Sequence, residues 1–175
     1  MNHPLHEAIG KTLKTIALSK TTQMYCDPAC MGEQNIPLFL NDAKSNSTEC
    51  CNVDILFVKD GKAKVIIEIE EANIKPTQIC GKLLTSAIAR QHSHNNSGKV
   101  PFDDETVFIQ VVDISRLQLK TNKDEQLNHI EEALKALLPF CHITEYNLIQ
   151  INGHSDILEL NHVKECVLTA LALNT

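Results

Sequence analysis

The feature that most constrains this chain is a pair of apolar, β-branched runs, Asn52 to Val58 and Ala63 to Ile69, separated by Lys59-Asp60-Gly61-Lys62. Turn chemistry between two such runs specifies an antiparallel hairpin. From Ile74 onward the period changes. Ile79, Leu83, Leu84, Ala87 and Ile88 form one helical stripe, and Pro76 suits a first turn because its missing N–H has no partner there.

The same reading extends to both ends of the chain. Leu5, Ala8, Ile9, Leu13, Ile16 and Ala17 predict an amphipathic helix over Leu5 to Leu18, which Gly10 weakens slightly. A short strand is expected within Gln23 to Met31. Thr106 to Asp113 is a nearly continuous apolar run, as in a strand covered on both faces. A helix carrying Leu127, Ile130, Leu134, Leu137 and Leu138 follows, with Asn122 and Glu125 at capping-box spacing and Pro139 as its stop. Tyr146 to Ile151 and Val163 to Leu173 read as a last strand and a last helix. Asn41 to Glu49 and Gln91 to Glu105, rich in Asn, Ser, Asp and Gly, read as surface loops. The predicted order is α-β-β-β-α-β-α-β-α, an α/β fold with three α-β-α layers around a central mixed sheet.

At 175 residues with 43% apolar content, the chain is expected to be one domain, 1–175, with one continuous core. No stretch is apolar enough for a membrane helix, and Met1 to Ser19 lacks a signal-peptide core, so a cytoplasmic protein with no membrane partner is expected. Seven cysteines in that setting read as reduced thiols packed as small hydrophobes. A net charge of −6 excludes coating nucleic acid by bulk electrostatics, and with no Trp and two Tyr a base-stacking platform is not expected.

Three acids stand out against this apolar background. Side chains alternate along a strand, so Glu68 and Glu70 leave the same face, together with Ile66. Two carboxylates on an otherwise apolar strand face repel and lose hydration unless something compensates, and a divalent cation would do so. Asp54, in the preceding strand of the hairpin, can be brought beside Glu68 by strand pairing. Three acids around one point form a hard, oxygen-rich site suited to Mg2+.

In these residues the chain resembles the PD-(D/E)XK nuclease superfamily, whose core order is α-β-β-β-α-β and whose motif is an Asp followed, on the next strand, by acidic-x-Lys. The match reads Asn52-Val53-Asp54, then thirteen residues, then Glu68-Ile69-Glu70. Val53 replaces the name-giving Pro, and Glu70 stands where Lys is usual. The resemblance implies a restriction endonuclease-like domain that cuts DNA as a metal-dependent phosphodiester hydrolase. Mg2+, or Mn2+ as substitute, would be held by Asp54, Glu68 and the Ile69 carbonyl. Glu70 or Lys82 would orient the attacking water.

Lys75, Gln78 and Lys82 share one helix face, which makes Lys82 the candidate for a displaced motif lysine and Gln78 and Lys75 accessory candidates. Glu7, on the first helix, is a further accessory acid in family terms. A homodimer is expected, because so small a core needs a second copy to grip a duplex. The rival expectation is a non-catalytic binding or assembly module with a nuclease-like fold, supported by the acidic charge and the missing motif lysine.

Plainer readings compete for the same residues. Glu68, Glu70 and Glu71 can be a strand end emerging into solvent, Asp54 a turn-capping Asp, and Lys75 and Lys82 a solvated helix face. Cys26-x3-Cys30 with Cys50-Cys51 superficially suggests zinc, at a spacing matching no common knuckle. His92 and His94 fall in the Asn/Ser loop and are read as solvent-exposed.

Overall fold

A computed structural model describes residues 3–71, 74–94, 98–116 and 122–172. In chain order the elements are α1 (Pro4–Leu13), β1 (Thr22–Cys26), β2 (Ile36–Phe39), β3 (Glu49–Val53), β4 (Ile55–Lys59), β5 (Lys62–Glu70), α2 (Pro76–Ile88), β6 (Gln91–His94), β7 (Gly98–Asp113), α3 (Lys123–Lys135), one 3-10 turn (Leu138–Phe140), β8 (Ile143–Ile151) and α4 (Ile157–Ala172). The fold is α/β, with a mixed sheet of eight strands among the described residues flanked by four helices. The expected order is present, with three strands more than the sequence predicts. No helix among the described residues is long and apolar enough to cross a membrane.

The hairpin forms as the turn chemistry requires. Lys59 pairs with Lys62, which leaves Asp60 and Gly61 as a two-residue loop with φ of 51° and 78°. Two positive φ angles define a type I′ turn, whose twist matches that of the flanking strands. β1, β4 and β5 make an antiparallel meander, after which β7 runs parallel to β5 and β8 parallel to β7. The carboxyl ends of β5, β7 and β8 therefore lie along one edge of the sheet.

Alternation along these strands divides the core in two. Ile55, Phe57, Val65, Ile67, Ile109 and Val111 pack under α1 and α4, which contribute Leu5, Ile9, Leu13, Val163 and Val167. Leu56, Ile66, Phe108, Val112 and Tyr146 pack under α2 and α3, with Ile79, Leu83, Leu127 and Leu134. Each fully buried aliphatic or aromatic side chain in these layers contributes about 1.5–3 kcal/mol of transfer free energy. This is the three-layer arrangement that the element order implies.

Several local expectations are corrected. Gln91 to Glu105 is not a loop: its described residues form β6 and the first part of β7, which pair antiparallel from Gln91↔Pro101 to His94↔Gly98. β6 then pairs with β2, and β2 with β3, giving a wing attached to the main sheet through the long β7. The run Asn52 to Val58 is not one strand. It breaks at Asp54, so β3 joins the wing while β4 joins the meander. The first helix stops at Leu13, short of Leu18. Asn122 makes no side-chain cap at the start of α3, so the box expected with Glu125 is not formed.

Gly10 has a reason to sit inside α1. A Cβ built there would stand 2.4 Å from the Cys30 carbonyl oxygen, so the helix and the turn after β1 meet backbone to backbone. Alanine normally favours a helix over glycine by about 1 kcal/mol. Gly10→Ala is nonetheless expected to destabilise the protein by about 1–3 kcal/mol, the usual cost of overpacking, read as a lower urea midpoint. A neutral or stabilised variant would show that this contact relaxes freely.

Candidate metal and catalytic site

Asp54, Glu68, Glu70 and Lys82 come together at the carboxyl edge of the parallel strands, the side of an open α/β sheet where ligands bind as a rule. Asp54 occupies the break between β3 and β4. Its backbone carbonyl accepts the Asp27 N–H at 2.8 Å, and its Oδ2 accepts the Ile69 N–H at 2.7 Å. These two bonds hold the kink and fix the carboxylate beside β5. In an extended strand the N–H and C=O of one residue leave the same edge, so the Ile69 carbonyl also points out of β5 toward the Asp54 side.

Glu68 and Glu70 share the α2-facing side of β5, as the alternation requires. Neither emerges into solvent: Glu68 is 0% and Glu70 8% exposed, which excludes the strand-end reading. Glu68 Oε2 accepts a bond from Lys82 Nζ at 2.7 Å, reaching in from α2. Glu68 Oε1 and Glu70 Oε1 are buried without any hydrogen-bond partner. An unpartnered buried carboxylate oxygen costs more than a lost neutral hydrogen bond and demands compensation, which for Glu68 a proton shared with Asp54 or a cation supplies.

The electrostatics follow from this crowding. Burial, reinforced by Asp54, holds Glu68 well above the ordinary carboxylate range despite Lys82. Burial also raises Glu70, with Lys82 and His6 opposing and Asp54 assisting. For Lys82, burial alone would favour the neutral amine. The Glu68 carboxylate, followed by Asp54 and Glu70, overrides it and raises the lysine above its usual value. Lys82 is therefore a cation here, not a base.

The remaining candidates are placed differently. Gln78 is exposed and its side-chain oxygen accepts the Lys75 backbone N–H at 3.2 Å, so it caps the first turn of α2. Lys75 is exposed at the same helix start. Glu7 is directed to solvent and pairs with Lys11 one turn on. The residue that α1 presents to the acids is its neighbour His6, whose Nε2 lies 3.7 Å from Asp54 Oδ2 and whose Nδ1 lies 2.9 Å from Glu71 Oε1.

His6 and Gln110 carry no expectation from the sequence, and Glu71 is expected only as a strand-end acid. Gln110 pairs in register with Glu68 across β5 and β7, is fully buried, and accepts a bond from the Tyr146 hydroxyl at 2.9 Å. Its amide nitrogen has no partner. The signal was a single polar residue inside the apolar run Thr106 to Asp113. His92 is corrected outright: it is fully buried in β6, with Nδ1 2.8 Å from the Pro37 carbonyl oxygen and its ring beside Tyr25. The side chain of His94 lies outside the described residues.

The cysteines are free thiols. Burial raises Cys26 to about 11, and burial with Cys50 nearby raises Cys51 to about 12, as expected of inert packed thiols. Among the described residues the one group of metal-ligating side chains within 4.8 Å of one another is His3, His6 and Glu71; it contains no cysteine, and the expectation that Asp54, Glu68 and Glu70 surround one point is corrected, since the three carboxylates do not form such a group. Comparison with protein-family models, curated proteins and solved structures gives no match.

Proposed function

We propose that the chain is a metal-dependent phosphodiester hydrolase of the PD-(D/E)XK kind, an endonuclease acting on DNA. The observation that carries this reading is that buried Glu68 and Glu70, on β5, neighbour Asp54 from the β3–β4 break and Lys82 from α2, at one edge of a mixed sheet. The donors are all oxygen, which suits a hard cation, and such a cation would draw together three carboxylates that do not lie within 4.8 Å of one another. Two buried carboxylate oxygens, on Glu68 and Glu70, lack partners, and Asp54 and the Ile69 carbonyl supply further oxygen beside them. Mg2+ or Mn2+ bound there would lower the pKa of the attacking water and offset charge building on the scissile phosphate.

The protein's own groups divide the remaining work. Lys82, held as a cation, takes the place of the motif lysine and stabilises negative charge at the reacting phosphate. Glu70, with its carboxyl raised by burial, is a better proton acceptor than an ordinary carboxylate. His6, fixed between Glu71 and Asp54, keeps the Asp54 carboxylate aimed inward. In this reading two copies related by two-fold symmetry grip the duplex, since one small domain offers little surface for wrapping it.

A second reading, a binding or assembly module without catalysis, draws support from the Lys82–Glu68 ion pair, which partly neutralises the acids with no cation at all. The two are separated by one set of measurements. Saturating Mg2+ or Mn2+, at about 100 times Kd, is expected to stabilise the chain by about 2.7 kcal/mol, roughly 5–10 °C in Tm. Metal-dependent nicking of plasmid DNA is expected to accompany it. Asp54→Ala should remove both. A parent that neither gains stability from metal nor cuts single- or double-stranded DNA would leave the module as the better account.

A further inference from the structure

A second group of ligand-bearing side chains lies outside the acidic site, at the start of α1. His3 is the residue that precedes α1 and His6 lies in the helix's first turn. Their rings meet edge to face with centroids 5.1 Å apart. Glu71, just past the end of β5, comes against them from the sheet. Its Oε1 accepts the His6 backbone N–H at 2.8 Å and lies 2.9 Å from His6 Nδ1, while its Oε2 turns outward, 4.0 Å from His3 Nδ1. The three ligand atoms lie within 4.8 Å of one another.

We propose that His3, His6 and Glu71 form a second divalent-cation site, of the zinc class, separate from the oxygen site of Asp54, Glu68 and Glu70. Ligand atoms about 2.0–2.2 Å from one ion stand roughly 3–4 Å apart, and these three, within 4.8 Å of one another, need only a small side-chain adjustment to reach that spacing. Two imidazoles and one carboxylate suit Zn2+ and its neighbours, whereas Mg2+ takes oxygen and keeps its water. Three protein ligands leave a fourth position to water, the pattern of an open zinc site. His6 and Glu71 are nearly buried and pre-positioned, and His3, 39% exposed, closes the site from solvent.

The placement also ties the two sites together. With Nδ1 turned to the outer ion, His6 carries its proton on Nε2, which faces Asp54 Oδ2 at 3.7 Å. At 3.7 Å the contact is longer than a hydrogen bond; drawn in by a few tenths of an ångström it becomes the usual outer-shell arrangement, in which a metal-bound histidine donates its other N–H to a carboxylate. Zinc at the outer site would in that way add to the Ile69 N–H that already holds Asp54 Oδ2. This coupling rests on the hydrolase reading; zinc binding itself does not.

The test is calorimetric titration of Zn2+ into the full chain with Mg2+ in excess, supported by the visible absorption of Co2+ as a substitute. One equivalent is expected to bind, with Co2+ giving the intense bands of a low-coordinate nitrogen–oxygen site. His3→Ala removes an exposed residue and should fold normally; it is expected to weaken Zn2+ binding at least tenfold and to lose the Co2+ bands. Asp54→Asn should keep the Zn2+ stoichiometry while losing the response to Mg2+. The proposal is overturned if the parent binds no Zn2+ under these conditions or if His3→Ala binds it as the parent does. It is also overturned if Asp54→Asn abolishes zinc binding and His3→Ala does not, which would put the ion in the acidic site.

Discussion

Glu68→Gln is expected to stabilise the metal-free protein at neutral and alkaline pH and, in the same molecule, to abolish metal-induced stabilisation and DNA cleavage. Glu68 is fully buried, and burial together with Asp54 raises it well above its ordinary value of 4.5. The folded chain then holds a proton that the unfolded chain has released. Its contribution to stability is complete below about pH 4.5 and is lost as pH rises through the folded value. Glutamine cannot ionise, so the variant escapes that loss. The difference in Tm, variant minus parent, should be near zero at about pH 4.5 and grow as pH rises toward the folded value of Glu68. Cation binding at this site displaces the same proton, so the affinity of the parent for Mg2+ should rise with pH over the same window. Thermal melts in chelator and in Mg2+ across the pH range measure all three effects. A metal-free variant less stable than the parent at alkaline pH would mean that ionised Glu68 is a net asset in its Lys82 pair.

The parts of this arrangement that the sequence discloses are those set by local rules. Asp60 and Gly61 dictate the hairpin, and the hairpin dictates that Glu68 and Glu70 share a face with Ile66. The acids themselves are conspicuous because they interrupt a strand that is otherwise apolar. The parts it conceals depend on contacts distant in sequence. β2 contains Pro37, which argues against a strand. β6 and the start of β7 are rich in His, Ser, Lys and Asp because the wing they build is partly solvated. Such segments read as loops until β3 supplies the partner for β2.

Helix phase accounts for the exchange of Glu7 for His6. Successive residues on a helix differ by about 100°, so of two neighbours only one can flank the buried stripe of Leu5, Ile9 and Leu13. His6 flanks it and meets Glu71 and Asp54, 65 and 48 positions on; Glu7 turns to solvent. A similar limit applies to Gln78. Its spacing from Lys82 puts both on the site-facing side of α2, yet it lies at the start of the helix, where a backbone N–H without an intrahelical partner claims its side chain. Lys82, a full turn further along, is free of that demand and long enough to reach Glu68.

Lys82→Met tests whether that reach is structural or chemical, and its effect should be large in both respects. Removing one partner of a pair whose other member is wholly buried leaves an uncompensated charge, which typically costs 3–5 kcal/mol. Lys82 itself is about one-third exposed, so about 3 kcal/mol is expected in the metal-free protein at alkaline pH. The loss should shrink as pH falls, because without the lysine Glu68 is raised further and simply keeps its proton. Mg2+ should rescue the fold, since a cation among the acids replaces the missing positive charge, so the metal-induced rise in Tm should exceed that of the parent. Cleavage should not be rescued. A correctly folded, metal-loaded variant lacking the ammonium is expected to cut DNA at least about a hundredfold more slowly, as for loss of one charge-stabilising group. Glu70→Ala should instead act largely through weaker metal binding and recover part of its rate at high Mn2+. If Lys82→Met cuts like the parent once metal restores its stability, Lys82 serves the fold alone and the water-orienting role falls to Glu70.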